Sequence, residues 1–103
     1  MANRHIDFSR HERPVRLAAK AIGMDHKRPY MRAGKLNYRP YRNYFTCKPP
    51  SGDFAAWMGL VNKSYATHDT TPGGMHRFEL TRAGLYWLGN TLGVIIHDPE
   101  KEE

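Results

Sequence analysis

Apolar residues recur at helical spacing in the first third of the chain. Val15, Ala18, Ala19 and Ile22 fall at i, i+3, i+4 and i+7, with Leu17, Ala21 and Met24 widening the stripe. That period predicts an amphipathic helix of about ten residues. Ser9-Arg10-His11-Glu12 has the spacing of a capping box, Pro14 suits an early helical position, and Gly23 is placed to end the helix. The periodicity then stops: residues 25 to 51 hold Pro29, Pro40, Pro49, Pro50 and Gly34, which excludes a long helix. Within this stretch the aromatic run Tyr41-Arg42-Asn43-Tyr44-Phe45-Thr46-Cys47 reads as an extended segment, an edge strand between prolines.

The pattern resumes after Ser51. Asp53 is expected to cap a short helix in which Phe54, Trp57, Leu60 and Val61 share one side. Residues 64 to 69 and 75 to 80 alternate as strands around Thr70-Thr71-Pro72-Gly73-Gly74, a loop with hairpin chemistry. Symmetric closure sets Asp69 against Met75, His68 against His76 and Ala66 against Phe78, with Ala66, Phe78 and Leu80 inward and Arg77 and Glu79 outward. Thr81 caps a third helix over residues 82 to 92, with Leu85, Leu88 and Leu92 inward and Tyr86 and Trp87 flanking them; Gly93 stops it. Val94-Ile95-Ile96-His97 is a last strand or a plug on the core. The expected fold is α+β, with about three helices, a β-hairpin and a long basic loop. It is one domain over residues 9–97, between a flexible arm at 1–8 and an acidic tail at 98–103.

Charge changes the picture more than composition does. The 103 residues carry a formal net charge of +6. Residues 1–48 hold twelve basic and three acidic side chains, a net of +9, whereas residues 49–103 hold four basic and seven acidic, a net of −3. An anionic partner should therefore meet the N-terminal half. No apolar run approaches the length that crosses a bilayer, and the opening residues lack the apolar stretch of a signal peptide, so a cytoplasmic protein without membrane contact is expected. Cys47 is the single cysteine, which excludes an intramolecular disulfide and a cysteine-based zinc site.

The order helix, extended segment, helix, hairpin, helix is that of a winged-helix domain. Phe78-Glu79-Leu80-Thr81-Arg82-Ala83-Gly84 resembles the Phe-x-Leu-Thr-x-x-Gly phrase that closes the wing in bacterial regulators of the multiple-antibiotic-resistance type. In that phrase Phe and Leu point inward, Thr caps the next helix, and Gly lets the helix approach the sheet backbone. Trp57-Met58-Gly59-Leu60-Val61 looks like the end of the helix leading into the wing. The Tyr41-to-Phe45 patch followed by such a wing is similar to small uncharacterised proteins of bacteriophages and prophages; the matching stretches span residues 41 to 88. The resemblance implies a winged-helix-like DNA-binding protein acting in a bacterial host. One departure stands out: residues 54–61 contain no charged or amide side chain to offer to base edges in a groove.

Residues 27–52 carry the strongest functional signal. Lys27, Arg28, Arg32, Lys35, Arg39, Arg42 and Lys48 are interleaved with tyrosines, among them Tyr38 and Tyr41. That combination suits phosphate neutralisation together with base stacking. Arg13, Arg16 and Lys20 lie on the polar side of the first helix and continue the positive surface, and Arg77 joins it from the hairpin. The alternatives are a solubilising loop and a plain solvated helix face.

The leading expectation is a small nucleic-acid-binding or regulatory protein that grips the backbone with low sequence specificity, with DNA ahead of RNA. The competing one is a phage-encoded interaction protein that docks on a host or phage assembly, or on an acidic protein surface, through Trp57, Met58, Tyr86 and Trp87. No enzyme is expected, since nucleophile elbows, phosphate loops and zinc-protease motifs are lacking and Cys47 has no general base beside it. No cofactor is expected either. His68 and His76 meet across the hairpin with Asp69 adjacent, but a third and fourth ligand at motif spacing are missing, so no metal is expected. Pattern leaves the oligomeric state open.

Overall fold

The structure is a computed structural model that describes residues 6–98. Residues 1–5 of the arm and 99–103 of the tail lie outside the described residues. The elements run α1 (Arg13–Ala21), β1 (Tyr30–Arg32), β2 (Lys35–Tyr38), β3 (Phe45–Cys47), α2 (Gly52–Asn62), β4 (Ala66–Thr70), β5 (His76–Leu80), α3 (Arg82–Leu92) and β6 (Ile95–Ile96). The three helices are joined by two small sheets, of order β1-β2-β6 and β3-β5-β4. No helix among the described residues is long and apolar enough to cross a membrane.

Helix α1 buries Val15, Leu17, Ala18, Ala19 and Ala21, the stripe its periodicity predicts. It starts later than the capping box implies. Asp7 accepts both the N–H and the hydroxyl of Ser9, capping a 3₁₀ turn at Phe8–Arg10, so the Ser9 hydroxyl is committed before the helix begins. Glu12 stands at the N-cap without a side-chain bond, and Pro14 sits in the first turn, where its missing N–H leaves no gap. At the other end Gly23, at φ +89°, closes a Schellman motif: its N–H donates to the Lys20 carbonyl and the Met24 N–H to that of Ala19, each at 3.0 Å. Ile6 and Phe8 of the arm pack against the core.

The segment expected to be one long extended loop contains a hairpin. Strands β1 and β2 pair antiparallel, Arg32 opposite Lys35, around Ala33 and Gly34, both at positive φ as a tight two-residue turn requires. Strand β6 then joins β2 in parallel, making a strand of the Val94–His97 run. Tyr38 locks this sheet down. Its ring is fully buried, its hydroxyl donates to the Ile22 carbonyl at 2.9 Å, and its own carbonyl accepts from the His97 N–H at 2.9 Å.

The second sheet follows the predicted pattern with one correction. Strand β3 is indeed an edge strand, pairing with β5. The β4–β5 register is displaced: Ala66 pairs with Leu80 and His68 with Phe78. The loop is thus residues 71 to 75, closed by the Thr71 N–H and hydroxyl, which donate to the Met75 carbonyl at 2.8 and 3.0 Å. The pairing shifts by two residues, from Phe78 to Leu80 opposite Ala66, so every side chain keeps its face. Ala66, Phe78 and Leu80 are buried, as alternation requires, while Arg77 and Glu79 are exposed.

Helix α2 is capped by the Ser51 hydroxyl, which accepts the Phe54 N–H at 3.0 Å, and not by Asp53. Asp53 lies in the first turn instead, where its charge favours the helix dipole and faces Arg13 at 3.7 Å. The helix lays Trp57 against Phe78, stacked with centroids 5.3 Å apart, with Phe45 and Phe54 against the same pair. Thr81 caps α3 by accepting the Gly84 N–H at 3.0 Å, and Gly93 ends it at φ +72°. A Cβ on Gly84 would stand 2.0 Å from the Tyr65 carbonyl oxygen, so the helix meets the backbone directly at the residue before β4.

Two substitutions separate packing from propensity. Gly84→Ala is expected to lower stability by about 2 kcal/mol or more through that clash. Gly59→Ala, in the interior of α2 with open space at its Cβ, is expected to raise it by about 0.5–1 kcal/mol. Trp57→Ala should cost about 3–5 kcal/mol. Urea denaturation followed by circular dichroism measures all three; equal effects at Gly84 and Gly59 would contradict the close approach of α3.

Candidate nucleic-acid interface

The residues expected to bind nucleic acid divide into three groups. Arg28, Arg32, Lys35, Lys20 and Lys48 are exposed and have no carboxylate partner among the described residues. Arg32 and Lys35 face each other across the turn of the β1–β2 hairpin, which carries its charge at the tip. The turn concentrates two cations within one step of strand pairing, where like charges opposite each other destabilise the pair.

A second group is already engaged. Arg42 donates from Nη2 to the Lys20 carbonyl at 2.9 Å and to Asp25 Oδ1 at 3.0 Å, tying the segment after β2 to the C-terminus of α1. Lys27 donates to the Arg39 carbonyl at 3.0 Å and lies near the rings of Tyr38 and Tyr41. Arg13 pairs with Asp53, and the Arg16 guanidinium donates to the His11 carbonyl. Arg39 is exposed. Arg77 stacks on Tyr44, donates to Glu79 at 3.1 Å and stands opposite Asp69 in the strand pair, so acids surround it.

The third group is buried and cannot do what the sequence pattern suggested. Tyr38 has no exposed surface with which to stack on a base; burial pushes its hydroxyl above the ordinary tyrosine range. Trp57 is equally buried under Phe78, and Met58 and Trp87 are half-buried, Trp87 stacked on Tyr65 at 5.2 Å. Of the aromatics expected to dock a protein, only Tyr86 is well exposed, at 73%. A hydrophobic period identifies aromatic positions but does not say which ring the fold covers.

Tyr41 and Tyr44 are the exposed aromatics of the basic segment, at 52% and 44%. Tyr41 is held in place: its ring rests on Gly23, where a Cβ would lie 2.4 Å from Cε1, and the Arg42 guanidinium is 5.6 Å from its centroid. Beside it opens a cleft of about 490 Å³, lined on one side by Pro40, Tyr41, Arg42 and Asn43 and on the other by Thr67, Glu79, Leu80, Arg82 and Asp98. Asn43 braces its floor, donating to the Leu80 carbonyl and accepting the Leu80 N–H, both at 2.9 Å. Arg82 donates to Asp98 at 3.2 Å across the mouth. No sequence pattern marks this cleft, because its walls lie 24 or more positions apart and share no motif spacing.

The histidines meet, though not as direct partners. His68 Nε2 and His76 Nδ1 lie 2.6 Å apart in parallel rings, with the edge of Phe54 against them. The register displacement places them diagonally on one face. Cys47 stands opposite His76 in the sheet, and burial, with Asp53 adding to it, pushes its thiol upward. Among the described residues no group of three or more His, Cys, Asp or Glu side chains comes together as a metal site would need. No protein family, curated protein or solved structure matches the chain.

Two outcomes follow from this sorting of side chains. Arg42→Ala should lower stability by about 1–3 kcal/mol, by removing charge-assisted bonds to Lys20 and Asp25, whereas Arg32→Ala should stay within about 0.5 kcal/mol of the parent. Thermal melts of the two variants decide it, and equal melting temperatures would show that Arg42 is not structural. Cys47 should react with an aromatic disulfide reagent at pH 8 more slowly than a free thiol and recover the free rate in denaturant.

Proposed function

We propose that the protein is a small, non-enzymatic nucleic-acid-binding protein that holds the phosphate backbone through the β1–β2 hairpin and the C-terminal end of α1, with little sequence specificity. The observation that carries this reading is the set of exposed cations Lys20, Arg28, Arg32 and Lys35, which lie within one stretch of the chain and have no carboxylate partner among the described residues. Charges left unneutralised on one stretch of chain interact favourably with a polyanion by releasing its counterions. DNA is placed ahead of RNA. The succession of β3, α2, the β4–β5 hairpin and α3 supports a winged-helix-like build of the phage type that the sequence resembles. The reading does not require α2 to act as a groove-reading helix: Phe54, Trp57 and Leu60 pack into the core, and residues 54–61 carry no charged or amide side chain to offer to bases.

A protein partner is the second reading, and one observation favours it. Tyr86 and Ile95 are exposed, and a groove of about 530 Å³ beside Tyr86 is lined by Ala83, Leu85 and Ile96 together with Arg82, His97 and Asp98. The burial of Trp57 removes its central anchor.

Fluorescence polarisation with labelled duplex DNA, single-stranded DNA and RNA at two salt concentrations tests the first reading. Binding should weaken steeply with salt. The triple variant Arg28→Ala, Arg32→Ala, Lys35→Ala should lower the slope of log K against log salt by about 2. Absence of binding at low salt would reject nucleic acid as the partner and leave Tyr86→Ala, tested in a pull-down, to probe the second reading.

A further inference from the structure

We infer that Tyr41 and the cleft beside it hold an unpaired base, so that the chain's target is single-stranded nucleic acid and not duplex. This rests on the nucleic-acid reading above and adds to it the strandedness of the target and the residue that detects it.

Three features converge on Tyr41. An aromatic ring half open to water but fixed in place is unusual, and this one is seated on Gly23 while Lys27 and Arg42 stand within 6 Å of its centre. A fixed, exposed ring presents a stacking surface with little entropy left to lose on binding. Charge is also arranged in two zones around it. The side toward α1 carries Lys20 and Lys27, with Arg28 next in the chain, against the single carboxylate of Asp25. The cleft on the other side balances Arg42 and Arg82 against Glu79 and Asp98. Phosphates favour the first zone. The second suits a neutral group whose N–H donors face carboxylate oxygens, and the Watson–Crick edge of an exposed base has that character.

The volume agrees. About 490 Å³ lies within the range of small-ligand sites and admits a planar heterocycle with part of its sugar. A base pair inside a duplex cannot enter such a cleft without unstacking, and sequence-specific duplex recognition would need a polar helix or strand aimed into a groove. Helix α2 supplies none, its apolar side chains being packed against β5. Single strands need no such element. They ask for a positive track with an aromatic platform beside it.

The test measures polarisation of the full chain with a labelled 12-nucleotide single-stranded DNA, the same sequence as RNA, and the matching duplex, using the parent, Tyr41→Ala, Tyr41→Phe and the Arg28/Arg32/Lys35 triple alanine variant. Circular dichroism melts confirm that each variant is folded. Single strands should bind at least about tenfold more tightly than the duplex. Tyr41→Ala should weaken single-strand binding by about tenfold while leaving duplex binding alone, and Tyr41→Phe should stay close to the parent because the ring stacks and the hydroxyl does not. A preference for DNA over RNA, or the reverse, supports the inference either way and identifies the sugar. Equal binding of duplex and single strand, or a Tyr41→Ala variant indistinguishable from the parent, overturns the inference while the triple variant's loss of binding still upholds backbone contact. Failure of every nucleic acid to bind at low salt overturns both.

Discussion

The stack of Trp57 on Phe78 is the contact on which the other arrangements depend. It joins the middle of α2 to the central strand of the three-stranded sheet, and Phe45 and Phe54 close over it from the edge strand and the helix start. Face-to-face burial of two large rings excludes water over an area that few other pairs in so small a core can match. Once it forms, α2 must turn its apolar side to the sheet. The opposite face of that sheet, carrying Thr46, Thr67, Asp69, Arg77 and Glu79, is left to the solvent. The apolar side of the helix before the hairpin, with Trp57 and Leu60, is therefore committed to the core.

The β1-β2-β6 sheet is attached by polar contacts as much as by burial. Tyr38 is the hinge of that attachment, its ring buried and its hydroxyl and carbonyl bonded to the end of α1 and to the residue after β6. A buried hydroxyl without a partner would be costly, so the bond to Ile22 is required once the ring is inside. Asn37 next to it is satisfied similarly, donating to Lys35 and meeting His97 at 3.0 Å. These bonds leave the turn at Ala33 and Gly34 projecting with Arg32 and Lys35 beside it. The same anchoring that stabilises the hairpin makes its charges available.

Net charge alone treats all twelve basic residues of the first half alike, and the fold does not. Arg42 is drawn into a bond with a helix-terminal carbonyl and an aspartate, a use of guanidinium geometry that joins chain segments 22 residues apart. Arg77 is neutralised by its neighbours on the sheet. The cations without a carboxylate partner among the described residues include Lys20 at the C-terminal end of α1 and Arg32 and Lys35 on the hairpin, while Lys27 lies 5.9 Å from the ring of Tyr41, which is seated on Gly23. The proposed partner follows from this sorting and not from the +6 total.

Local chemistry made much of the architecture legible. Period 3.6 marked α1, Thr81 and Gly93 bounded α3, alternation assigned Ala66, Phe78 and Leu80 to the core, and the need for Gly84 followed from a helix pressed on a strand. Each of these is decided within a few residues, by spacing or by a single dihedral. The β1–β2 hairpin was less visible because its strands are three and four residues long, too short for alternation to stand out among prolines and arginines. Cap identity is not local where two hydroxyl or carboxylate groups compete for one helix end: Asp7 engages the Ser9 hydroxyl, and Ser51 caps α2 in place of Asp53. Which tyrosine is buried, which arginine is bonded and where a cleft opens depend on residues that only packing brings together. Tyr38 and Tyr41 are three positions apart with similar neighbours, and the sequence determined that both are aromatic. Tertiary structure decided that one seals the core and the other faces the solvent, because the Ile22 carbonyl that accepts the first and the glycine at 23 that seats the second lie side by side just past the end of α1, far along the chain from both tyrosines.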